Sequence, residues 1–151
     1  MDEQNIQIFI DGVKNYFLQQ TGVAAEVGTP YLSDAQARVA YEYTGIIGIS
    51  GSSRGCVYYT APGALLRDVL LRIGESDVTP ANQSDLAGEV ANTIAGNARR
   101  EFGKDFMISV PVVVSGGAER ISLPPDLRAM VVPILWRKHA AALVVALAGT
   151  S

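Results

Sequence analysis

The sequence predicts an α+β domain in which two long helices lie across one mostly antiparallel sheet of about six strands. Three observations lead there. Apolar residues recur at helical spacing in two well-separated segments, and they alternate with period two in the segments that follow each helix. The two halves also carry their punctuation at the same spacing: Gly22 to Pro30 is eight residues, and so is Gly103 to Pro111. A unit of one helix and three strands has a single apolar sheet face and cannot bury it alone. Two copies, about residues 4–61 and 82–149, are therefore expected to close one core within a single domain over residues 1–151.

Taken in order, Ile6, Phe9, Ile10, Val13, Phe17 and Leu18 make the stripe of a first helix, and Gly22 stops it. Val23 to Leu32 reads as a strand with Pro30 near its end. In the next strand Val39, Tyr41, Tyr43, Ile47 and Ile49 fall on one side. "GSSRG" is a turn, and "CVYYTA" returns as a further strand. After Pro62 a short helix turns Leu66, Val69, Leu70 and Ile73 inward, and "GESDVTP" ends it with acidic and breaker residues. A second long helix runs from about Asn82 to Phe102 and stops at Gly103. "DFMISVPVVVSG" then places Phe106, Ile108, Val110, Val112 and Val114 on one face. The polar loop "GGAERISLPPD", the strand "AMVVPILW", the turn "RKHA" and the strand "AALVVALAG" complete the second half.

Composition removes several function classes. With 48% hydrophobic and 18% charged residues and no low-complexity tract, the 151-residue chain has enough apolar material for a substantial core. Its one cysteine, Cys56, rules out an internal disulfide and fits a reducing compartment. The acidic start "MDEQ" lacks the order of a secretory signal, and the apolar run from Ala140 to Gly149 is too short to cross a bilayer. A cytoplasmic protein without membrane attachment is expected. A net charge of −3 without a basic stripe argues against nucleic acid. The single histidine, His139, has no companion ligands in sequence and reads as a hairpin-turn residue, so no metal site is expected.

Most motifs reduce to structure. "GISGSSRG" (48–55) lacks the Gly-Lys-Ser/Thr ending of a phosphate-cradling loop and leads into a strand, so it reads as a hairpin turn. Ser50 and Ser52 do not form a nucleophile elbow, and nothing pairs them with His139. The tyrosines at 41, 43, 58 and 59 read as sheet-face packing, and Glu75 and Asp77 as linker charges.

The second long helix differs. At about 100° per residue, Leu86, Val90, Ile94, Ala98 and Phe102, joined by Ala87, Ala91 and Ala95, form one wide apolar face. Asp85, Glu89, Asn92 and Gly96 cluster opposite, within roughly a quarter of the circumference. Glu89 and Asn92, three residues apart, project together. Glu-x-x-Asn alone is a weak signal. The bare strip beside it carries more weight, because a mid-helix glycine costs about 1 kcal/mol relative to alanine and needs a compensating reason. Room for a partner's backbone one turn from Asn92 supplies one.

The segment "DLAGEVANTIAGNARREF" resembles the signature helix of the CheX/CheC-type chemotaxis phosphatases: Asp or Ser, three residues, Glu, two residues, Asn, and a glycine four further on. Asp85, Glu89, Asn92 and Gly96 match those positions. Relatives of the CheC type carry a second motif on the first helix. Here that segment is "GVKN", with Gly12 in the glutamate's place and only Asn15 kept, which is more like CheX. The resemblance implies hydrolysis of the aspartyl phosphate on a CheY-like response regulator. Asn92 would position the attacking water, and Glu89 would pair with the lysine beside the regulator's phosphoryl group. Asp85 would be either a rim contact or a helix N-terminal charge. The resemblance implies no cofactor bound by this chain, with Mg²⁺ arriving on the partner receiver domain, and it implies a homodimer. The apolar strand residues Val131, Val132, Ile134, Leu143, Val144 and Val145 suggest surplus surface for such a dimer. The alternative is a non-catalytic receiver-binding or flagellar switch-type module, which would have no need of the Asn92 carboxamide.

Overall fold

A computed structural model of the chain describes residues 3–33, 39–117 and 120–148. Within them lie three α-helices, α1 (Glu3–Thr21), α2 (Gly63–Arg72) and α3 (Pro80–Phe102). The strands are β1 (Glu26–Val27), β2 (Tyr31–Ser33), β3 (Tyr43–Gly51), β4 (Arg54–Ala61), β5 (Phe106–Ile108), β6 (Val112–Ser115), β7 (Ala129–Trp136) and β8 (His139–Ala148). All eight join one antiparallel sheet. β1 and β2 both pair with β7, and β5 and β6 both pair with β3, so the eight strands fill the expected six rows. Pro30 and Pro111 explain the divided edges: a proline offers no N–H to the ladder, and each lies in the gap between two strand pieces.

The pairing interlocks the two halves. β1 and β2 of the first half lie on β7 of the second, β5 and β6 lie on β3, and β4 meets β8 at the centre with Val57 opposite Val145. Helices α1 and α3 cover one face. Phe9, Val13 and Phe17 of α1 and Leu86, Val90, Ile94 and Ala98 of α3 join Ile47, Tyr59, Val132, Trp136 and Leu143 in one core. On the other face Tyr58, Val131 and Val144 pack with Ile121 and Leu123, residues from the segment between β6 and β7. The sheet is covered on both sides. Val131, Val132, Ile134, Leu143, Val144 and Val145 are consequently all buried within one chain and supply no surplus for a dimer.

Five local expectations need correction, the first being Leu18, which lies off the packed stripe of α1 and is 53% exposed. Val39 and Tyr41 pack on the opposite face from Tyr43, Ile47 and Ile49, because regular strand begins only at Tyr43 and the period-two phase does not extend back past it. The run from Phe106 to Val114 does not keep one face. Phe106 and Ile108 face the helices, Val114 faces away, and Val110 is 80% exposed, because the alternation slips where the strand is interrupted around Pro111. Ile73 caps the end of α2 and is 42% exposed instead of facing inward. The β7–β8 turn is only Arg137–Lys138, with Arg137 at φ 56°, and His139 opens β8 opposite Trp136.

Close approach orients α3. A Cβ on Gly45 of β3 would lie 2.5 Å from the Ala87 carbonyl oxygen, so only glycine lets the helix backbone rest this close to the sheet. Its inner face is therefore sealed, and its outer face is the one left to water.

Candidate functional site on the outer face of α3

The start and end of α3 are fixed locally. Thr79 is the N-cap, its hydroxyl accepting from the Asn82 N–H at 3.4 Å, and Pro80 takes the first helical position. The linker charges have a part here: Asp77 Oδ1 accepts from Thr79 N at 3.1 Å, and Glu75 Oε1 from Asp77 N at 3.2 Å. Gly103, at φ 105°, ends the helix.

Asp85, Glu89 and Asn92 are exposed, and nothing lies within 4 Å of where a Gly96 Cβ would stand. Glu89 and Asn92 line one groove of about 300 Å³, together with Thr93, Tyr16 and Gln20 of α1, and Ile73 at the end of α2. Asp85 is not part of that groove. Gly96 opens instead onto a second recess of about 290 Å³ toward β5. Among the described residues no hydrogen bond or ion pair holds the side chains of Asp85, Glu89 or Asn92; Thr93 donates its hydroxyl to the Glu89 backbone carbonyl at 2.9 Å. A carboxylate and a carboxamide thus stand side by side, free to engage something from outside.

Tyr16 is the groove residue that the sequence alone does not reveal. Its phenol is pushed up to about 12, first by burial and second by the negative charge of Glu89, so at neutral pH it is an uncharged donor on the groove wall. Tyr59 of β4 lies fully buried, its hydroxyl without a partner among the described residues, and burial pushes its phenol up further still. The spacing Phe9, Val13, Tyr16, Phe17 could have marked Tyr16 as lying on the edge of the packed stripe of α1. That Gln20 and Ile73 join it depends on how three helices meet, which no local pattern encodes.

On α1, Gly12 faces inward: a Cβ there would sit 3.4 Å from Asn97 Nδ2 and from Ile94 Cγ2 of α3. Asn15 is exposed without a neighbouring glutamate. The remaining candidates take structural parts. His139 Nε2 lies 3.1 Å from Asp68 of α2, which also accepts from Arg137 at 2.7 Å. Cys56 is buried on the far side of the sheet with its thiol pushed up to about 11 by burial, an unreactive environment. Among the described residues no three His, Cys, Asp or Glu side chains gather as a metal ligand set, and no helix is long and apolar enough to cross a membrane.

The family model of the chemotaxis phosphatase CheX matches residues 43–135, more than half of the chain and the whole of α3. The chain belongs to the CheX family. Solved structures of similar fold include a CheC-like superfamily protein from Shewanella sp. PV-4, 22% identical, covering 99% of this chain and 100% of that one at a TM-score of 0.83. The chemotaxis protein CheX from Vibrio vulnificus is 21% identical over 96% of this chain and 99% of its own, at 0.81. A CheX–CheY–BeF3–Mg²⁺ complex from Borrelia burgdorferi is 22% identical over 95% and 97%, at 0.75. Among proteins with curated descriptions none matches the chain. The neighbours carry the fold; Glu89 and Asn92 of this CheX-family chain are read from its own geometry and from the motif.

Proposed function

We propose that this chain hydrolyses the aspartyl phosphate of a CheY-like response regulator. The observation that carries the reading is the pair Glu89 and Asn92, exposed, unengaged and lining one groove on a helix inside the matched segment. An acyl phosphate is already activated, so the enzyme needs no nucleophile or metal of its own. It needs a water held in line with the phosphorus and a surface that docks. The Asn92 carboxamide can accept a hydrogen bond from water and donate one to it, which orients the attacking oxygen. Glu89, one turn away, pairs with the lysine beside the regulator's phosphoryl group. That contact fixes register and draws a cation off the phosphate. Mg²⁺ comes with the regulator, whose own carboxylates hold it. Asp85 lies at the rim, and the open side of Gly96 admits the partner's backbone. The same reading includes a homodimer, supported by the exposed Met107, Val110 and Val112 on the β5–β6 edge.

The test is phosphate release in single turnover from a panel of phosphorylated CheY-like receivers. Asn92→Ala should slow release by about 10²-fold or more, the scale for removing a preorganised polar group from a reacting centre, with docking preserved. Glu89→Ala should weaken both binding and rate, because a charged docking contact is lost as well. Wild-type turnover by Asn92→Ala would overturn the mechanism. A receiver that binds yet is never dephosphorylated would instead establish a non-catalytic interaction module.

A further inference from the structure

The recess beyond Gly96 has a charge that the chain as a whole does not. Its walls are Arg99 and Arg100 in the last turns of α3, Lys104 just past Gly103, and the partly buried Ile108 of β5. All three cations are exposed in a protein of net charge −3. Arg100 is steadied by donating to Asn97 Oδ1 at 3.0 Å, and among the described residues no carboxylate forms an ion pair with any of the three. Glu101 and Asp105, the acidic residues adjacent to these cations in sequence, do not line the recess; Glu101 lies about 140° around the helix from Gly96. Cations in a last helical turn complement the helix dipole, and that alone would account for Arg99 and Arg100. It does not account for Lys104, which stands outside the helix, nor for the unfilled space at Gly96.

Position gives the recess its use. Gly96 is one turn, about 6 Å, beyond Asn92, and Arg100 about 6 Å beyond Gly96. Anything that seats its phosphoryl group at Asn92 must lay neighbouring surface over the three cations. A receiver's phosphorylation pocket is acidic by necessity: the phosphoaspartate is an anion, and Mg²⁺, a hard cation, is held there by carboxylate oxygens. The outer face of α3 thus runs from Asp85 and Glu89 at one end, suited to the receiver's lysine, to Arg99, Arg100 and Lys104 at the other, suited to its carboxylates. We propose that the Gly96–Arg99–Arg100–Lys104 recess binds the acidic rim of the receiver's phosphorylation pocket and selects among receivers by that rim's charge. This inference rests on the phosphatase reading above for the identity of the partner.

The test compares wild type with Arg99→Glu/Lys104→Glu and with the neutral Arg99→Gln/Lys104→Gln. Each is titrated with CheY-like receivers activated by beryllofluoride and Mg²⁺, beside thermal melts and single-turnover dephosphorylation of the same receivers. At about 0.05 M salt the charge reversal should weaken binding at least tenfold and the neutral variant by less. The difference should shrink toward about 0.5 M salt, where the Debye length falls to a few ångströms. The loss should appear in the half-saturating receiver concentration and not in the saturated rate, the reverse of the split expected for Asn92→Ala. Receivers with the more acidic rims should lose most. Unchanged binding by the reversed variant at low salt, with its melt intact, overturns the recess and leaves the phosphatase reading standing. Salt-dependent loss of binding without any phosphate release from any receiver retains the recess and overturns the phosphatase reading. If no receiver binds the wild type, both fall.

Discussion

In the proposed mechanism Asn92 is demanding as a single residue, because that task combines donation, acceptance and neutrality. An aspartate there would add a charge facing an anionic phosphoryl group, and a glutamine would carry the amide one methylene further out. Gly96 has the opposite requirement, to present nothing. Gly96→Leu should raise helix propensity by up to about 1 kcal/mol, and with nothing within 4 Å of its Cβ position the new side chain starts into open space. The expected outcome is a melting temperature equal to or above wild type together with loss of receiver binding. A Gly96→Leu protein that binds receivers normally would show that the open strip has no docking role. Asn15→Ala, on α1, should change neither quantity. The outer-face cluster of Asp85, Glu89, Asn92 and Gly96 was legible in the sequence because it depends only on angles around one helix. The inward turn of Gly12 was not, since it follows from where α1 meets Ile94 and Asn97 of α3.

At the scale of elements, α3 lies where it does because the sheet beneath it is cut away to receive it. Gly45 brings β3 against the Ala87 carbonyl, and the atoms opposing any added Cβ are backbone, which cannot swing aside. Gly45→Ala should therefore destabilise the fold by about 1–3 kcal/mol, the range for overpacking a tight contact, read as a lower urea midpoint. Because the strain is relieved only by lifting α3, dephosphorylation should slow as well, although Gly45 lies on the far side of the helix from Asn92. Wild-type stability in Gly45→Ala would mean that the helix does not depend on this approach. The same elements mark the limit of pattern reading. The helices were legible because a stripe of 3.6 periodicity survives over many residues, and Gly22 and Gly103 stop them where expected. The strands were legible as apolar alternation, yet their phase was lost at Tyr43 and around Pro111. Around Pro111 the edge strand spends four residues, Ile108 to Val112, against three of β3, Ile49 to Ile46, and one extra residue turns every following side chain to the other face. His139 was misplaced for a similar reason: a two-residue turn with Arg137 at positive φ leaves it inside β8, where Asp68 of α2 reaches it.

For the whole molecule, the interlocked sheet buries three groups in neutral form, and this sets its response to alkali. Burial raises Cys56 from 9.0 to about 11 and, with the Glu89 charge second, Tyr16 from 10.0 to about 12; Tyr59 is raised further. Each gives up its proton at lower pH in the unfolded chain than in the fold, so their contribution to stability is complete below about pH 9 and is lost as pH rises from there. The slope is about 1.4 kcal/mol per pH unit for each group in its interval. Urea midpoints should be level from pH 7 to 8.5 and fall steeply above 9, less steeply in Tyr16→Phe; a level profile to pH 10.5 would contradict the burial. The same two-sided coverage redirects the expectation of a homodimer. The strand residues that suggested surplus surface are consumed within one chain, and proline blunts both sheet edges against simple extension. What remains uncovered on the β5–β6 edge is a set of side chains, Met107 54%, Val112 59% and Val110 80% exposed, which a second copy would shield. Light scattering at micromolar concentration should therefore give twice the 16.0 kDa chain mass, and Val110→Lys/Val112→Lys should return the chain mass without lowering the melting temperature of the monomer core. A wild-type mass of 16.0 kDa would rule out the dimer. A dimer that survives both lysines would move its interface to the opposite edge, where Tyr31 and Leu32 are about half exposed.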